Sequence, residues 1–331
     1  MDFVTLEDGD FVYGEAEEIL PGVVRVIAAN PSKFTYHGTG TYIVGGRDVA
    51  VIDPGPALDA HRDALAAALA GCTVRAVLVT HCHADHSPLA AWLTAETGAP
   101  TFAYGPHGTG AADWEIGALP DDFGRRPRTA GDDTSVDNGG EPKVEESTDL
   151  DFAPDVEVRT GDEVVVDADW RLEAVHTPGH TSNHTCFALR ARDGRRVLFT
   201  GDHVMGWSTT VVSPPHGDKA AYKDSLRKVA GRRDDVAVPN PGAPIVAPGR
   251  YVGQLVDHRL ERERQVLDAV RRGRSTIPEM VTELYADVRI ELHRPAGASV
   301  LGHLVKLVDD GVVVVEDGRG RPRLDTSYRP V

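Results

Sequence analysis

One short stretch constrains this chain more than any other. The β-branched run Val74–Val79 reads as a buried strand and leads straight into Thr80-His81-Cys82-His83-Ala84-Asp85-His86-Ser87. Three imidazoles and a carboxylate therefore crowd into the few residues just past a strand end. A loop in that position can turn such side chains toward one point. Neutral imidazole plus carboxylate is a donor set that suits Zn2+, with Fe or Mn open where oxygen donors dominate. Cys82 lies between two of the histidines, but backbone alternation sends its side chain the other way, which makes it a buried thiol rather than a ligand.

Two later turns carry matching donors. Leu172–His176 runs into Thr177-Pro178-Gly179-His180-Thr181, and Val197–Thr200 runs into Gly201-Asp202-His203, each placing a ligand just beyond a strand. Alone, a His or Asp in a glycine turn is commonly structural. Beside the first cluster, the two complete a set drawn from separate strand ends.

The rest of the chain frames those ends. Val23–Ala28, Thr41–Val44 and Val49–Ile52 read as a strand meander, Leu58–Ala70 as a helix stopped by Gly71, Pro88–Thr97 as a second helix and Thr101–Tyr104 as a short strand. Strand signals resume at Val156–Val158, Val164–Val166, Leu172–His176, Thr185–Leu189 and Val197–Thr200, before a helix over Ala220–Val229 and a strand over Val236–Val238. Two halves, each strands first and then helix and strand, predict an α/β (α+β) fold of two sheets face to face with helices outside, an αββα sandwich. Residues 1–248 are expected to form this catalytic unit, with 124–149, almost free of apolar residues, as a mobile acidic loop. In 249–331, a long amphipathic helix over Tyr251–Val270, helices over Ile277–Tyr285 and Ala298–Asp309, and a hairpin pairing Val312–Glu316 with Arg321–Asp325 predict a small winged helix.

With these motifs in place, the chain resembles the metallo-β-lactamase fold hydrolases. His81-Cys82-His83-Ala84-Asp85-His86 matches their HxHxDH motif, Pro178-Gly179-His180 their next ligand and Gly201-Asp202 their bridging aspartate, a similarity spanning about Val23 to Val246. The stretch Gly201–Trp207, the Asp257-His258-Arg259 start of the long helix and the C-terminal wing resemble the subgroup of the β-lactamase-like protein 2 family. The resemblance implies that His81, His83 and His180 hold one Zn2+, that Asp85 and His86 hold a second, and that Asp202 bridges both. In that family a further His closes the second site. Here Asn240 or Pro241 stands in its place, so the second site is expected to be one ligand short. His203, His216 and His258 are the candidate substitutes, His258 reading more naturally as a packing residue of the long helix. His184, four residues after His180, would either support a ligand or face the substrate, an ordinary strand His being the competing reading. Trp207, Met205 and Pro214-Pro215-His216 would line the pocket mouth, and Tyr104–Phe123 with the acidic loop would cover it.

The implied chemistry is hydrolysis. A bound metal lowers the pKa of its water from about 15.7 to near 7 and polarises the electrophile, and Asp85 would orient the water or move its proton. An ester, thioester or lactone of a small molecule is the expected substrate. A metal-dependent ribonuclease or phosphodiesterase is the alternative, and a DNA-binding or degenerate metal-binding regulator the second. Charge favours the first: 35 Lys plus Arg stand against 51 Asp plus Glu, a net of −16. Residues 250–331 hold 14 basic and 13 acidic residues, so the acidity resides in the catalytic part and opposes a nucleic-acid partner. The expected recognition helix carries only Lys306 and His303 as positive groups, which suits packing or a homodimer surface better than DNA. Apolar runs such as Ala64–Ala70 fall far short of the roughly 20 residues that span a bilayer. The acidic Met1–Asp10 lacks a secretory pattern, and three cysteines build no disulfide framework, so the cytoplasm is the expected compartment.

Overall fold

The computed structural model describes residues 2–331 apart from 8, 112–114, 121–122, 125–147, 166–169, 192, 241 and 317–319. Most of the expected acidic loop, and Pro241, thus lie outside the described residues.

Two sheets form the frame. The first orders seven strands in sequence, β1 (Ala16–Leu20), β2 (Val23–Ile27), β3 (Gly40–Gly45), β4 (Asp48–Ile52), β5 (Thr73–Leu78), β6 (Thr101–Ala103) and β7 (Val156–Glu157). The second runs β13 (Ile245–Val246), β12 (Val236–Pro239), β11 (Arg196–Gly201), β10 (Thr185–Arg190), β9 (Arg171–His176), β8 (Glu163–Val165). Both sheets are buried on two faces, and side-chain alternation sorts their residues between two cores. Tyr42, Val44, Ala50, Ile52 and Leu78 meet Leu172, Ala174, Phe187, Leu189 and Phe199 between the sheets. Their neighbours Ile43, Val49, Val51 and Val77 face outward onto Leu65 of α1 (Asp59–Ala68) and Leu89 and Leu93 of α2 (Leu89–Thr97). On the far side Cys186, Ala188, Leu198 and Ala237 pack against Tyr222 and Leu226 of α3 (Lys219–Ala230) and against Tyr251, Val252 and Leu255 of α4 (Pro248–Arg271). This is the expected αββα sandwich.

The helix α4 serves two cores. Its first half covers the second sheet, and its last turns place Val266, Ala269 and Val270 against α5 (Ile277–Leu284) and α6 (His293–Asp309) in a C-terminal core. A Thr276 capping box with Glu279 and a proline in the first turn start α5. The wing is β14 (Val313–Val315) paired with β15 (Tyr328–Pro330). Arg321–Asp325 is therefore not the second strand. Leu324 N donates to Ile116 O at 2.7 Å and Arg323 N to Tyr328 Oη at 2.9 Å, which ties that segment down as a turn. The large apolar ring of Tyr328 enters the core and sets the strand beyond it. The strand β1 was also unforeseen: its exposed Glu17 and Glu18 hide the pattern of a sheet edge. No described helix is long and apolar enough to cross a membrane.

Candidate metal centre

The donors gather where strands end. β4 and β5 are parallel, β11 and β12 are parallel, and β9 is antiparallel to a strand that is antiparallel to β11. The chain therefore leaves β4 and β5 together on one sheet, and β9, β11 and β12 together on the other. Thr185 N donates to Thr80 O at 2.8 Å and Tyr42 Oη to Pro239 O at 2.6 Å, which joins the two rims. The approach is close enough to require glycine at 201. Its φ is +47°, and a Cβ there would meet Thr80 Oγ1 at 2.7 Å and His184 Nε2 at 2.8 Å.

Three imidazole nitrogens converge. His81 Nε2 lies 2.9 Å from His83 Nδ1, which lies 3.1 Å from His180 Nε2. With metal–nitrogen bonds of about 2.0–2.1 Å, tetrahedral geometry spaces such nitrogens about 3.3 Å apart, close to what is seen. The other ring nitrogens are engaged behind: His180 Nδ1 with Val211 O at 2.7 Å, His81 Nδ1 with Thr80 Oγ1 at 3.1 Å. A carbonyl accepts only, so His180 Nδ1 carries the proton and Nε2 presents a lone pair. His81, His83, His180 and Asp202 together form a group whose donor atoms lie within 4.8 Å of one another.

A second donor set adjoins the first. His86 Nε2 is 3.2 Å from Asp85 Oδ2 and 3.5 Å from Asp202 Oδ1, while Asp202 Oδ2 faces His180 Nε2 at 3.7 Å. Asp202 therefore turns one oxygen to each set. His86 Nε2 and Asp202 Oδ1 are buried yet make no hydrogen bond, an arrangement that costs free energy unless a cation completes it. The electrostatics agree. Burial alone would lower the pKa of His86, but Asp85, Asp202 and Asp53 hold it well above its usual value. Burial, with Asp85 and Asp53 adding against His86, pushes Asp202 up to about 8. Burial, aided by neighbouring imidazoles, keeps His81 and His83 well below 6.5 and takes His180 to about 4. Neutral imidazoles at His81, His83 and His180 beside crowded carboxylates are the donors a divalent metal requires, and a metal bound there would displace the proton that the carboxylates hold on His86. The residues fit a metal cofactor.

Sequence reasoning missed the group that positions His86. Asp53, read as part of a breaker, is fully buried at the end of β4 with φ +50°. Its carboxylate accepts from Thr80 N at 2.8 Å and Thr80 Oγ1 at 2.9 Å and meets His86 Nδ1 at 3.0 Å. A carboxylate behind a ligating imidazole fixes its tautomer with the lone pair forward. Asn240 completes the support. Its Oδ1 accepts from Gly40 N at 2.6 Å, and its Nδ2 donates to Asp53 Oδ2 at 3.4 Å. The residue in the place of the expected last histidine thus braces Asp53. The available signal was positional: β4 and β12 lie beside the strands that carry the motifs.

Other candidates fall in varied places. His184 is buried behind the centre, its ring 5.1 Å from that of His81 and its Nδ1 2.9 Å from Thr177 Oγ1. His203 packs edge-on against Tyr222 at 5.0 Å. His216 pairs with His107 at 3.1 Å, and His258 is half-buried on α4. None of these joins the metal-holding group among the described residues. Cys82 Sγ points away as expected, accepting from Asn183 Nδ2 at 3.0 Å, and burial pushes its pKa up to about 12. Above the centre lies a cavity of about 270 Å³ whose floor is His83, Asp85, His180 and Asp202 and whose walls include Phe34, Met205, Trp207 and Val211. Trp207 stacks on Tyr36 at 5.0 Å and 9°. Pro214, Pro215 and His216 line a different groove.

A metal-holding rim on an αββα sandwich, open to a cavity, defines a metal-dependent hydrolase. The chain belongs to the metallo-β-lactamase superfamily, whose family model matches residues 36–241, and a β-lactamase-associated winged helix domain matches residues 276–321. It is similar to the atrochrysone carboxyl ACP thioesterase of Aspergillus chevalieri, 30% identical over 315 residues that cover 91% of this chain and 86% of that protein. The Passalora fulva protein of the same name is 31% identical over 327 residues, covering 93% and 81%. A β-lactamase domain protein from Burkholderia ambifaria shares the fold, with TM-score 0.71, 22% identity and coverage of 99% of this chain and 97% of that one. So does a metallo-β-lactamase family protein from Thermus thermophilus, at 0.67, 24%, 94% and 99%.

Proposed function

We propose that this protein hydrolyses acyl thioesters with two Zn2+ ions, His81, His83 and His180 holding one, Asp85 and His86 the other, and Asp202 both. The observation that carries the two-metal reading is the split of Asp202, one oxygen toward His180 and one toward His86. The thioester reading rests on the relatives, which are named thioesterases and align over nine-tenths of this chain. When bound, the metals supply Lewis acidity and lower the pKa of a coordinated water toward 7. The protein's part is placement. Thr39 Oγ1 donates to Asp85 Oδ2 at 2.9 Å and fixes the carboxylate that orients the attacking water and takes its proton. Phe34, Met205, Trp207 and Val211 give the acyl chain an apolar wall and exclude bulk water. A thiolate, with a pKa near 8.5, leaves without a strong acid, so one mobile proton at Asp85 suffices. The decisive experiment is hydrolysis by the zinc-loaded protein of a panel of acyl thioesters, oxyesters, lactones and phosphodiesters. The highest kcat/KM is expected on thioesters; faster cleavage of RNA or a phosphodiester would overturn the reading in favour of the nuclease.

A further inference from the structure

The apolar walls of the metal cavity stand on two separate loops. Phe34 comes from the loop between β2 and β3, and Met205 and Trp207 from the loop that follows β11. The first loop is a tight turn: Ser32 bridges to Tyr36, and Ser32 Oγ accepts from Phe34 N at 3.1 Å and from Thr35 N at 3.2 Å. Tyr36 follows Phe34 closely and stacks its ring on Trp207 at 5.0 Å and 9°, so it joins the two walls from behind. Its φ is +56°, a left-handed conformation that a bulky residue holds only where its surroundings impose it.

A third segment supplies those surroundings. The side chains of Phe3–Glu7 alternate: Phe3, Thr5 and Glu7 are exposed, Leu6 is buried, and Val4 packs on the core shared by the second sheet, α3 and α4. Val4 N donates to Gly206 O at 2.9 Å. Leu6 O accepts twice, from Tyr36 Oη at 2.7 Å and from His37 Nε2 at 2.8 Å. The segment is thus tied to both wall loops at once. At Gly206 the approach leaves no space, since a Cβ there would meet Val4 O at 2.5 Å and its next two nearest atoms also belong to Val4. Gly206 is not in a left-handed conformation, so Val4 alone excludes a side chain. Tyr251 Oη braces the same loop from α4, donating to Met205 O at 2.8 Å and Gly206 O at 3.0 Å. Val4, Leu6 and Tyr36 do not line the cavity themselves.

We propose that Phe3–Glu7 is a strap that sets the acyl selectivity of the metal cavity, Leu6 and Tyr36 being positioning residues that hold Phe34 and Trp207 against acyl chains longer than acetyl. The inference rests on the thioesterase reading for the reaction, whereas the strap acts on binding. A wall fixed in advance avoids the cost of ordering it when the acyl chain arrives. The cavity of about 270 Å³ holds roughly nine water-sized groups at about 30 Å³ each, enough for an octanoyl chain. Acetyl offers the wall a single methyl, so it gains little from the wall's position.

Two measurements on the zinc-loaded full chain test the strap, each on wild type, on Gly206→Ala, which pushes Val4 aside, and on Tyr36→Phe, which keeps the ring stack and removes the bond to Leu6. Steady-state kinetics compares acetyl and octanoyl thioesters of one thiol. Calorimetry compares acetate and octanoate, which bind without turnover. In Gly206→Ala the KM for octanoyl and the Kd for octanoate are expected to rise about four- to fifteenfold, as if one or two methylenes had left the wall. In Tyr36→Phe the same two constants should rise about two- to tenfold, the worth of one hydrogen bond. The acetyl KM, the acetate Kd and kcat on both thioesters should stay at wild-type values. An equal loss for acetyl and octanoyl overturns the inference, as does unchanged octanoate binding in the variants. Tyr36→Phe carries the test if Gly206→Ala does not fold. Chain-selective loss of octanoate affinity without thioester turnover in any form would overturn the thioesterase reading and leave the strap standing.

Discussion

Replacing Asp53 with Asn changes one atom and reverses the logic of the site behind it. In the native protein Asp53 Oδ1 accepts from Thr80 N, and Oδ2 faces Thr80 Oγ1, His86 Nδ1 and Asn240 Nδ2. An asparagine that keeps its oxygen on Thr80 N turns its amide nitrogen to the other three. Asn240 then meets a donor with a donor, and His86 is pushed to accept at Nδ1 and carry its proton on Nε2, where it opposes a metal. The reverse rotamer sets the amide against Thr80 N instead. Either way at least one buried donor loses its acceptor, at about 1–3 kcal/mol, in addition to a charge-assisted hydrogen bond worth about 1.5–3 kcal/mol. The metal-free protein is thus expected to lose about 2.5–6 kcal/mol in urea unfolding. Outer partners of ligating histidines typically carry 10–100-fold in metal affinity. The weaker of the two zinc-binding events should fall by about that factor, or about 1.4–2.8 kcal/mol, in a titration against a competing chelator. Unchanged affinity for both equivalents would refute the tautomer reasoning.

Other expectations follow from the same geometry. Asp202→Ala should abolish turnover and reduce bound zinc to at most one per chain by elemental analysis; full activity would remove the bridging role. Gly201→Ala should destabilise by more than the roughly 1–3 kcal/mol of a strained backbone, because its Cβ also meets Thr80 Oγ1 and His184 Nε2 at under 3 Å; a melting temperature within about 2 °C of wild type would contradict this. Acid should destabilise the metal-free protein between pH 6.5 and 4. Burial lowers His180 to about 4 and His203 to about 3, and holds His81, His83 and His184 well below 6.5, so the unfolded chain binds protons there that the native one refuses. The stability from these neutral rings is present above 6.5 and lost as pH falls toward 4. Asp202, raised to about 8, and His86, held above its usual value, act oppositely but are two groups against five. A melting temperature that rises on acidification from pH 6.5 to 5 would refute the reasoning. Trp207→Ala should raise KM for long acyl chains more than for acetyl, read by initial rates; equal effects would remove Trp207 from the acyl wall.

The donors were legible because each sits beyond a strand that the sequence announces. Val74–Val79, Leu172–His176 and Val197–Thr200 are β-rich runs ended by turn residues, and the motif positions His81, His83, Asp85, His86, His180 and Asp202 follow directly. Asp53 and Asn240 were not legible, since Asp-Pro-Gly and Asn-Pro are ordinary turn signals. Their role arises from the pairing of β4 with β5 and of β11 with β12, which are long-range events. The second strand of the wing was misplaced for a similar reason. Arg321–Asp325 has the composition of a strand partner, but its hydrogen bonds go to Ile116 and Tyr328, residues that local pattern does not relate to it.

By itself, the sequence determined the αββα alternation, the winged helix and the candidate metal donors, because periodicity, glycine and proline punctuation and donor chemistry are local properties. Only the tertiary structure decided that Asp202 divides its oxygens, that Asp53 and Asn240 stand behind His86, and that His184 and His203 are buried behind the centre. Those facts depend on distances between residues far apart in the chain. They are fixed when the two sheets and their covering helices close over a common core, which no local pattern encodes.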